Sequence, residues 1–236
     1  MSKYLLCISF LFFSAFANSQ SNDERKDARW VVNMAIEKMG GEAYLRSVKT
    51  LYTEMSTQMD GRSVKWLTKE MLPNKGAFQI IYNDKIVYED FFNGKKGFEV
   101  NGGEKVETDP KQLADKLAKK NIFNELDYLD TTLYKIVRLE DEKVKDAICF
   151  KIKADFIAGS ERILYFDKKT FDVLREDRRA DRNSSEVSST YFSEYRKFGD
   201  LRLYRKITMG DNADAQVVII SKVVVNDLIT DADFNK

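Results

Sequence analysis

The chain has 236 residues, carries 39 basic against 38 acidic side chains, and contains no histidine. This near-neutral balance gives no strong field to attract nucleic acid, and the sequence shows no basic stripe. The lack of histidine excludes the usual Ser-His-Asp and Cys-His catalytic arrangements and histidine-containing zinc sites. We therefore expect a protein that is not an enzyme and that uses neither a cofactor nor a metal.

The N-terminus has the pattern of a secretory signal peptide. Lys3 provides one positive charge, and the run from Tyr4 to Ala17 has only serines as clearly polar residues. Cys7 lies too early in this run to be the lipid-bearing cysteine of a lipoprotein. We predict a signal peptide over residues 1–19, one domain over 20–236, a periplasmic location and no stable membrane span. A retained anchor helix is the alternative.

Residues 27–39 predict an amphipathic helix. Val31, Ala35 and Met39 recur at helical spacing, and Gly40 supplies the stop signal. Such a helix needs an apolar surface on which to lie.

The next segment predicts a series of antiparallel strands. Residues 51–60 alternate apolar and polar side chains, and further strands are expected at 63–72, 78–82 and 86–92. Turn signals rich in Gly, Pro, Asn or Asp separate them, with no helical crossover between.

A helical insertion is predicted within this run of strands. Asp109 followed by Pro110 is typical of a helix start. We expect helices over 110–129 that form a lid, although a fixed plug of the core is equally compatible with the pattern. The side chains predicted on the inner side of the lid are Leu113, Leu117, Phe123 and Leu126.

Strands resume at 134–140 and 145–156, followed by a hairpin over 161–182. Alternation in the second strand predicts that Phe150 faces inward and that Cys149 lies on the polar face. We expect Cys149 to be an exposed thiol that is inert because no histidine can activate it.

Residues 186–226 predict a three-stranded meander. Gly199-Asp200 and Gly210-Asp211-Asn212 separate the strands, and the middle one covers 201–209. The last strand, 217–225, is apolar on both faces, so we expect other elements to cover it.

Several of these segments recur together in a known family. They are the helix end Met39-Gly40-Gly41, the turn at 93–98, the hairpin at 165–171, and Glu194-Tyr195-Arg196 with Phe198-Gly199 between a Tyr-rich strand and the last strands. This set resembles the outer-membrane lipoprotein-sorting (LolA/LolB-like) proteins, most closely the Bacteroidetes-type members. One departure is that Tyr204 is followed by Arg205, where the family usually has proline.

The resemblance, together with the strand pattern, predicts a mainly β fold. We expect a single curved antiparallel sheet, an open half-barrel of about ten or eleven strands, with the N-terminal helix and the mid-chain lid over its concave face. The resemblance also implies a non-catalytic periplasmic carrier for a lipid or a lipoprotein acyl chain, with an envelope protein as a further candidate partner. The residues predicted to line an apolar cavity are Met55, Trp66, Phe78, Ile80, Phe150, Ile152, Leu203, Leu113, Leu117 and Phe123.

Two other classes of function remain open. A structural or interaction domain of the cell envelope would have a filled core and would bind a partner through a strand edge. An enzyme would need carboxylates such as Glu70 and Glu89 to converge in the cavity. Asp227, Asp231 and Asp233 lack the spacing of a calcium loop, so we expect a solvated tail there.

Overall fold

The computed structural model describes residues 26–235, so the predicted signal peptide at 1–19 lies outside the described residues. The helices of this part, α1 to α4, span Ala28–Met39, Glu42–Ser47, Ala114–Ala118 and Asn124–Tyr128, and short 3-10 turns lie at Pro110–Leu113 and Asp231–Phe234. The strands β1 to β8 span Thr50–Met59, Arg62–Met71, Lys75–Tyr82, Lys85–Phe92, Gly97–Asn101, Glu104–Glu107, Tyr134–Val144 and Ala147–Phe156. The strands β9 to β15 span Glu161–Asp167, Val173–Arg179, Ser188–Ser193, Arg196–Phe198, Leu201–Leu203, Lys206–Met209 and Gln216–Val225.

One large sheet organises the described residues. Its thirteen strands follow the order β6-β5-β4-β3-β2-β1-β15-β14-β11-β10-β9-β8-β7, and β12 and β13 form a separate hairpin. All neighbouring strands are antiparallel. The sheet is curved and open, with β6 and β7 as its edges, which confirms the predicted fold class. We call the face that packs against the helices the concave face.

Helix α1 fills one half of the concave face. The Asp27 carboxylate accepts a hydrogen bond from the Trp30 backbone N–H at 2.8 Å and so caps the start of the helix. The helix buries Val31, Ile36 and neighbouring apolar residues against strands β8 and β9. Gly40 ends it at a φ of 141°, and a Cβ there would lie only 2.9 Å from the Tyr44 ring. This confirms the prediction for residues 27–39.

The other half of the concave face is covered more thinly. Helix α3 has no buried residue and is joined to the sheet by ion pairs from Lys116 to Asp90 (3.0 Å) and from Lys119 to Glu70 (2.9 Å). Helix α4 packs beside α1, and the β12–β13 hairpin folds over the same face.

The opposite, convex face carries the end of the chain. Phe234 is fully buried there, in a cluster with Ala77 and Phe91. Asp233 and Asp231 form ion pairs at 2.5 Å with Lys69 and Lys75 respectively. The predicted solvated tail is therefore wrong, because the two aspartates that flank a buried aromatic anchor it to the sheet.

The strand prediction differs from the structure in several places. Gly97–Asn101 forms β5, a strand that was not predicted. Residues 104–107 form the edge strand β6, which was also not predicted, so the sheet exceeds the predicted size. The segment 201–209 is not one strand, because it breaks at Tyr204 and Arg205. Its first part pairs with β12, whereas its second part, β14, pairs with β11 and β15.

Cys149 lies on the convex face, as its alternation predicts, but the predicted exposure is wrong. The residue is 0% exposed and packs beneath Val144 and Tyr165. Tyr165 is held over it by a 2.8 Å hydrogen bond from its hydroxyl to Asp177. Burial raises the pKa of the Cys149 thiol to about 11.

Within residues 26–235, none of the helices has the length and apolar character needed to cross a membrane.

Candidate functional site: an apolar cleft on the concave face

A cleft of about 570 Å³ lies between the thinly covered half of the sheet and the elements above it. Its floor is formed by side chains of β1, β2, β3, β4, β14 and β15, which point to the same face because the strands pair in register. Its roof is formed by the end of α1, by α3, by the segment leading into α4, and by the β12–β13 hairpin.

The floor is mostly apolar in its centre. Met55 pairs with Trp66 across β1 and β2, and Trp66 packs edge-to-face against Phe78 with ring centroids 5.3 Å apart. Ile207 and Ile220 extend this surface towards β14 and β15. These side chains provide a continuous apolar surface that is open to one side.

The roof contributes apolar side chains from separate parts of the chain. Ile122 and Phe123 lie between α3 and α4, whereas Leu203 and Tyr204 come from the hairpin end. Phe123 also packs into the core around α1, which fixes its position.

Charged residues line the rim below α3. Glu70 and Asp90 point into the cleft from β2 and β4, and each is paired with a lysine of the α3 region. The lysine side chains are partly exposed, so each of these pairs contributes only about 0.2–1 kcal/mol. The charges at the rim are therefore balanced, and these ion pairs hold α3 to the sheet only weakly.

A smaller cavity of about 80 Å³ adjoins the inner end of the cleft. Met39, Glu125 and Tyr204 line both spaces, so the two spaces are neighbours. Burial, reinforced by the nearby charge of Glu176, raises the pKa of Glu125. Burial also raises the pKa of Tyr204. The inner end of the cleft is thus lined by polar side chains.

The structure brings five of the sequence-predicted residues together in the cleft: Met55, Trp66, Phe78, Leu203 and Phe123. They come from three strands, the hairpin and the α3–α4 connection. Ile80 shares their face of the sheet and pairs with Trp66, but it lies beyond the cleft.

The other four predicted residues lie elsewhere. Phe150 and Ile152 are buried in the core beneath α1, where that helix leaves no space for a ligand. Leu113 is buried against Gly97 of β5, so it closes the end of the concave face. Leu117 is 48% exposed rather than on the inner side of a lid. The reason is that Leu113 ends a 3-10 turn, in which helical four-residue spacing does not keep side chains on one face.

Glu70 and Glu89 do not converge. Glu70 faces the cleft, but Glu89 lies on the convex face, where the Gln79 amide donates a hydrogen bond to it at 2.5 Å. The arrangement that an enzyme based on these two carboxylates would need is therefore absent from the described residues. Among residues 26–235, no group of three or more His, Cys, Asp or Glu side chains is placed to hold a metal ion.

Solved structures with this architecture are similar over almost the whole chain. A LolA superfamily protein from Nitrosomonas europaea superposes with a TM-score of 0.60 at 12% identity, covering 89% of this chain and 98% of that one. An outer membrane lipoprotein-sorting protein domain from Vibrio parahaemolyticus gives a TM-score of 0.57 at 14% identity, covering 86% and 95%. The fold is LolA-like. No protein-family model matches the sequence, and no curated protein matches it either.

Strand alternation explains which site residues could be predicted from the sequence. Met55, Trp66 and Phe78 follow strand alternation, so their common face was predictable. Glu125 was missed, because α4 is short and only its packing beside α1 shows that this side chain lines the inner cavity. The closer resemblance to Bacteroidetes-type members stays a prediction.

Proposed function

We propose that this protein binds the hydrocarbon chain of a lipid, or of an acylated lipoprotein, in the cleft on the concave face, and carries it without catalysing a reaction. The observation that carries this proposal is the cleft itself. Its volume of about 570 Å³ lies within the range of ligand sites in proteins, about 300–1,000 Å³. Its centre offers the apolar side chains of Met55, Trp66 and Phe78 and no paired catalytic groups.

A hydrocarbon chain matches the physical chemistry of this surface. Transfer of a twelve-carbon chain from water gains roughly 10 kcal/mol before costs, at about 0.8 kcal/mol for each CH₂. Loss of translational and rotational freedom offsets about 4–15 kcal/mol of such a gain. Binding of such a chain is therefore a small difference between two large terms, which suits a carrier that must also release its ligand.

The fold and the N-terminus support a role in the cell envelope. The similar domain from Vibrio parahaemolyticus is named as a lipoprotein-sorting domain. We extend that role to this chain as part of the proposal, together with export by the predicted signal peptide at 1–19 and a periplasmic location. An envelope protein that delivers or receives the ligand would be the natural partner.

The test uses the two tryptophans of the chain, Trp30 and Trp66. Trp66 lines the cleft, whereas Trp30 lies in the core, 6.1 Å from Phe150 between ring centroids. In a Trp30→Phe variant, the fluorescence of Trp66 should be quenched by 12-bromododecanol in a saturable manner, because bromine quenches only at close range.

The matched control is Trp66→Phe, which leaves Trp30 as the reporter. Its fluorescence should change little at the same ligand concentrations, because Trp30 lies near the start of α1 and packs against the core, whereas only the last residue of that helix, Met39, lines the cleft. If Trp66 is not quenched, or if both reporters are quenched equally, the cleft does not hold the chain. A filled structural domain would then be the better interpretation.

A further inference from the structure

Nearly every carboxylate around the cleft has a cationic partner. Glu70 and Asp90 pair with lysines of the α3 region. Around the inner cavity, Glu176 accepts a hydrogen bond from Arg162 at 2.6 Å, and Asp172 is paired with Arg202. The pairing leaves these groups without excess charge.

Glu125 is the exception. Within residues 26–235, its carboxylate makes no salt bridge and no hydrogen bond to another side chain. It lies where the apolar cleft meets the inner cavity, and it lines both spaces. The cleft thus ends in an acidic group without an ion-pair partner, and the charges of Lys119 and Arg162 act on it only from a longer distance.

Tyr204 adds a second polar group at the same place. In the described part of the chain its hydroxyl has no hydrogen-bond partner, and its ring packs against Phe192 with centroids 4.5 Å apart. The inner cavity of about 80 Å³ has room for about two water-sized groups. A small headgroup could enter it while an attached chain lies in the cleft.

We propose that the inner end of the cleft is a headgroup site in which Glu125 binds the ammonium group of a lipid. A partly buried carboxylate without an ion-pair partner is costly, and an ammonium group supplies both the opposite charge and hydrogen-bond donors. The same carboxylate repels a free fatty acid, whose headgroup is anionic. This inference rests on the proposed function, because it assumes that the tail lies in the cleft, and it adds the chemical class of the headgroup.

The test compares three ligands with the same twelve-carbon chain: dodecylamine, dodecanol and dodecanoate. Each displaces 12-bromododecanol from the Trp30→Phe protein at pH 7, and recovery of Trp66 fluorescence gives its dissociation constant. We expect dodecylamine to bind at least tenfold more tightly than dodecanoate, with dodecanol between them.

Glu125→Gln in the same background should reduce the difference between amine and carboxylate to less than threefold. The control is Glu140→Gln, which makes the same change of charge at an exposed position on β7, away from the cleft, and should keep the tenfold preference. An unchanged preference in Glu125→Gln, a loss of preference in the control, or tighter binding of dodecanoate to the wild type overturns the headgroup site. If 12-bromododecanol itself does not bind, the carrier function is wrong, which is a different outcome from binding without headgroup preference.

Discussion

Replacement of Phe150 tests the placement of the whole sheet. Phe150 is 2% exposed on the concave side of β8, and its ring packs between Trp30 and Phe171 with centroid distances of 6.1 and 6.0 Å. Its neighbour Lys151 points to the convex face, where its ammonium group pairs with Glu142 at 2.6 Å. The two positions are adjacent in sequence and opposite in environment.

The expected magnitudes differ by several kcal/mol. Phe150→Ala removes a buried ring from a packed core, which typically costs about 3–5 kcal/mol. Lys151→Ala removes a partly exposed ion pair, which typically costs about 0.2–1 kcal/mol. With a urea dependence of about 3 kcal/mol per molar, the first change shifts the unfolding midpoint down by roughly 1–1.7 M and the second by less than about 0.4 M.

Urea unfolding followed by circular dichroism measures both midpoints, with the slopes compared to confirm that the unfolding remains two-state. Midpoint shifts of equal size in the two variants would mean that β8 has a different register. The assignment of the concave face, and the cleft built on it, would then be wrong.

Three further predictions concern other parts of the molecule. Cys149 should react with a thiol reagent at pH 8 at least a hundredfold more slowly in the folded protein than in urea, because it is buried and its pKa is raised. Phe234→Ala should destabilise the protein by about 3–5 kcal/mol in urea unfolding, whereas an unanchored tail would give no effect. Because burial raises the pKa of Glu125, the folded state binds this proton more tightly than the unfolded state. Stability should therefore fall as pH rises through the window between the unfolded and folded pKa values. Glu125→Gln should flatten that fall, and a parallel pH profile in wild type and variant would contradict the burial of this carboxyl group.

Local sequence patterns predicted the elements whose burial is regular. The α1 helix has apolar residues at helical spacing between an aspartate cap and a glycine stop, and both ends are where the pattern placed them. β1 and β8 alternate because one face of each packs against the core. In these segments the local preference and the tertiary environment agree.

The features that the sequence did not predict depend on contacts between distant segments. The tail is anchored because Phe234 packs on the convex face of β3 and β4, which lie more than a hundred residues away in sequence. The segment 201–209 is divided because its two parts pair with different partners, 201–203 with β12 and 206–209 with β11 and β15. Leu117 is an exception with a local cause, because a 3-10 turn with three residues per turn precedes α3 and breaks the four-residue helical spacing from Leu113. None of these contacts leaves a periodic signal in the chain.

The two halves of the concave face differ in what their strands can pack against. Beneath α1, the side chains of Phe150, Ile152 and Leu164 are all large and apolar, and the helix covers them completely. On the other half, the floor also carries Glu70 and Asp90, which a second apolar helix could not cover without burying charge.

The α3 region instead covers these carboxylates with lysine side chains, which form ion pairs with them. Such partly exposed ion pairs are individually weak, so separation of α3 from the sheet should need far less free energy than displacement of α1. The same residues that prevent the cleft from being filled thus leave its cover easy to open. For the proposed carrier function, this difference in packing favours entry of the ligand beneath α3, with α1 and the rest of the core intact.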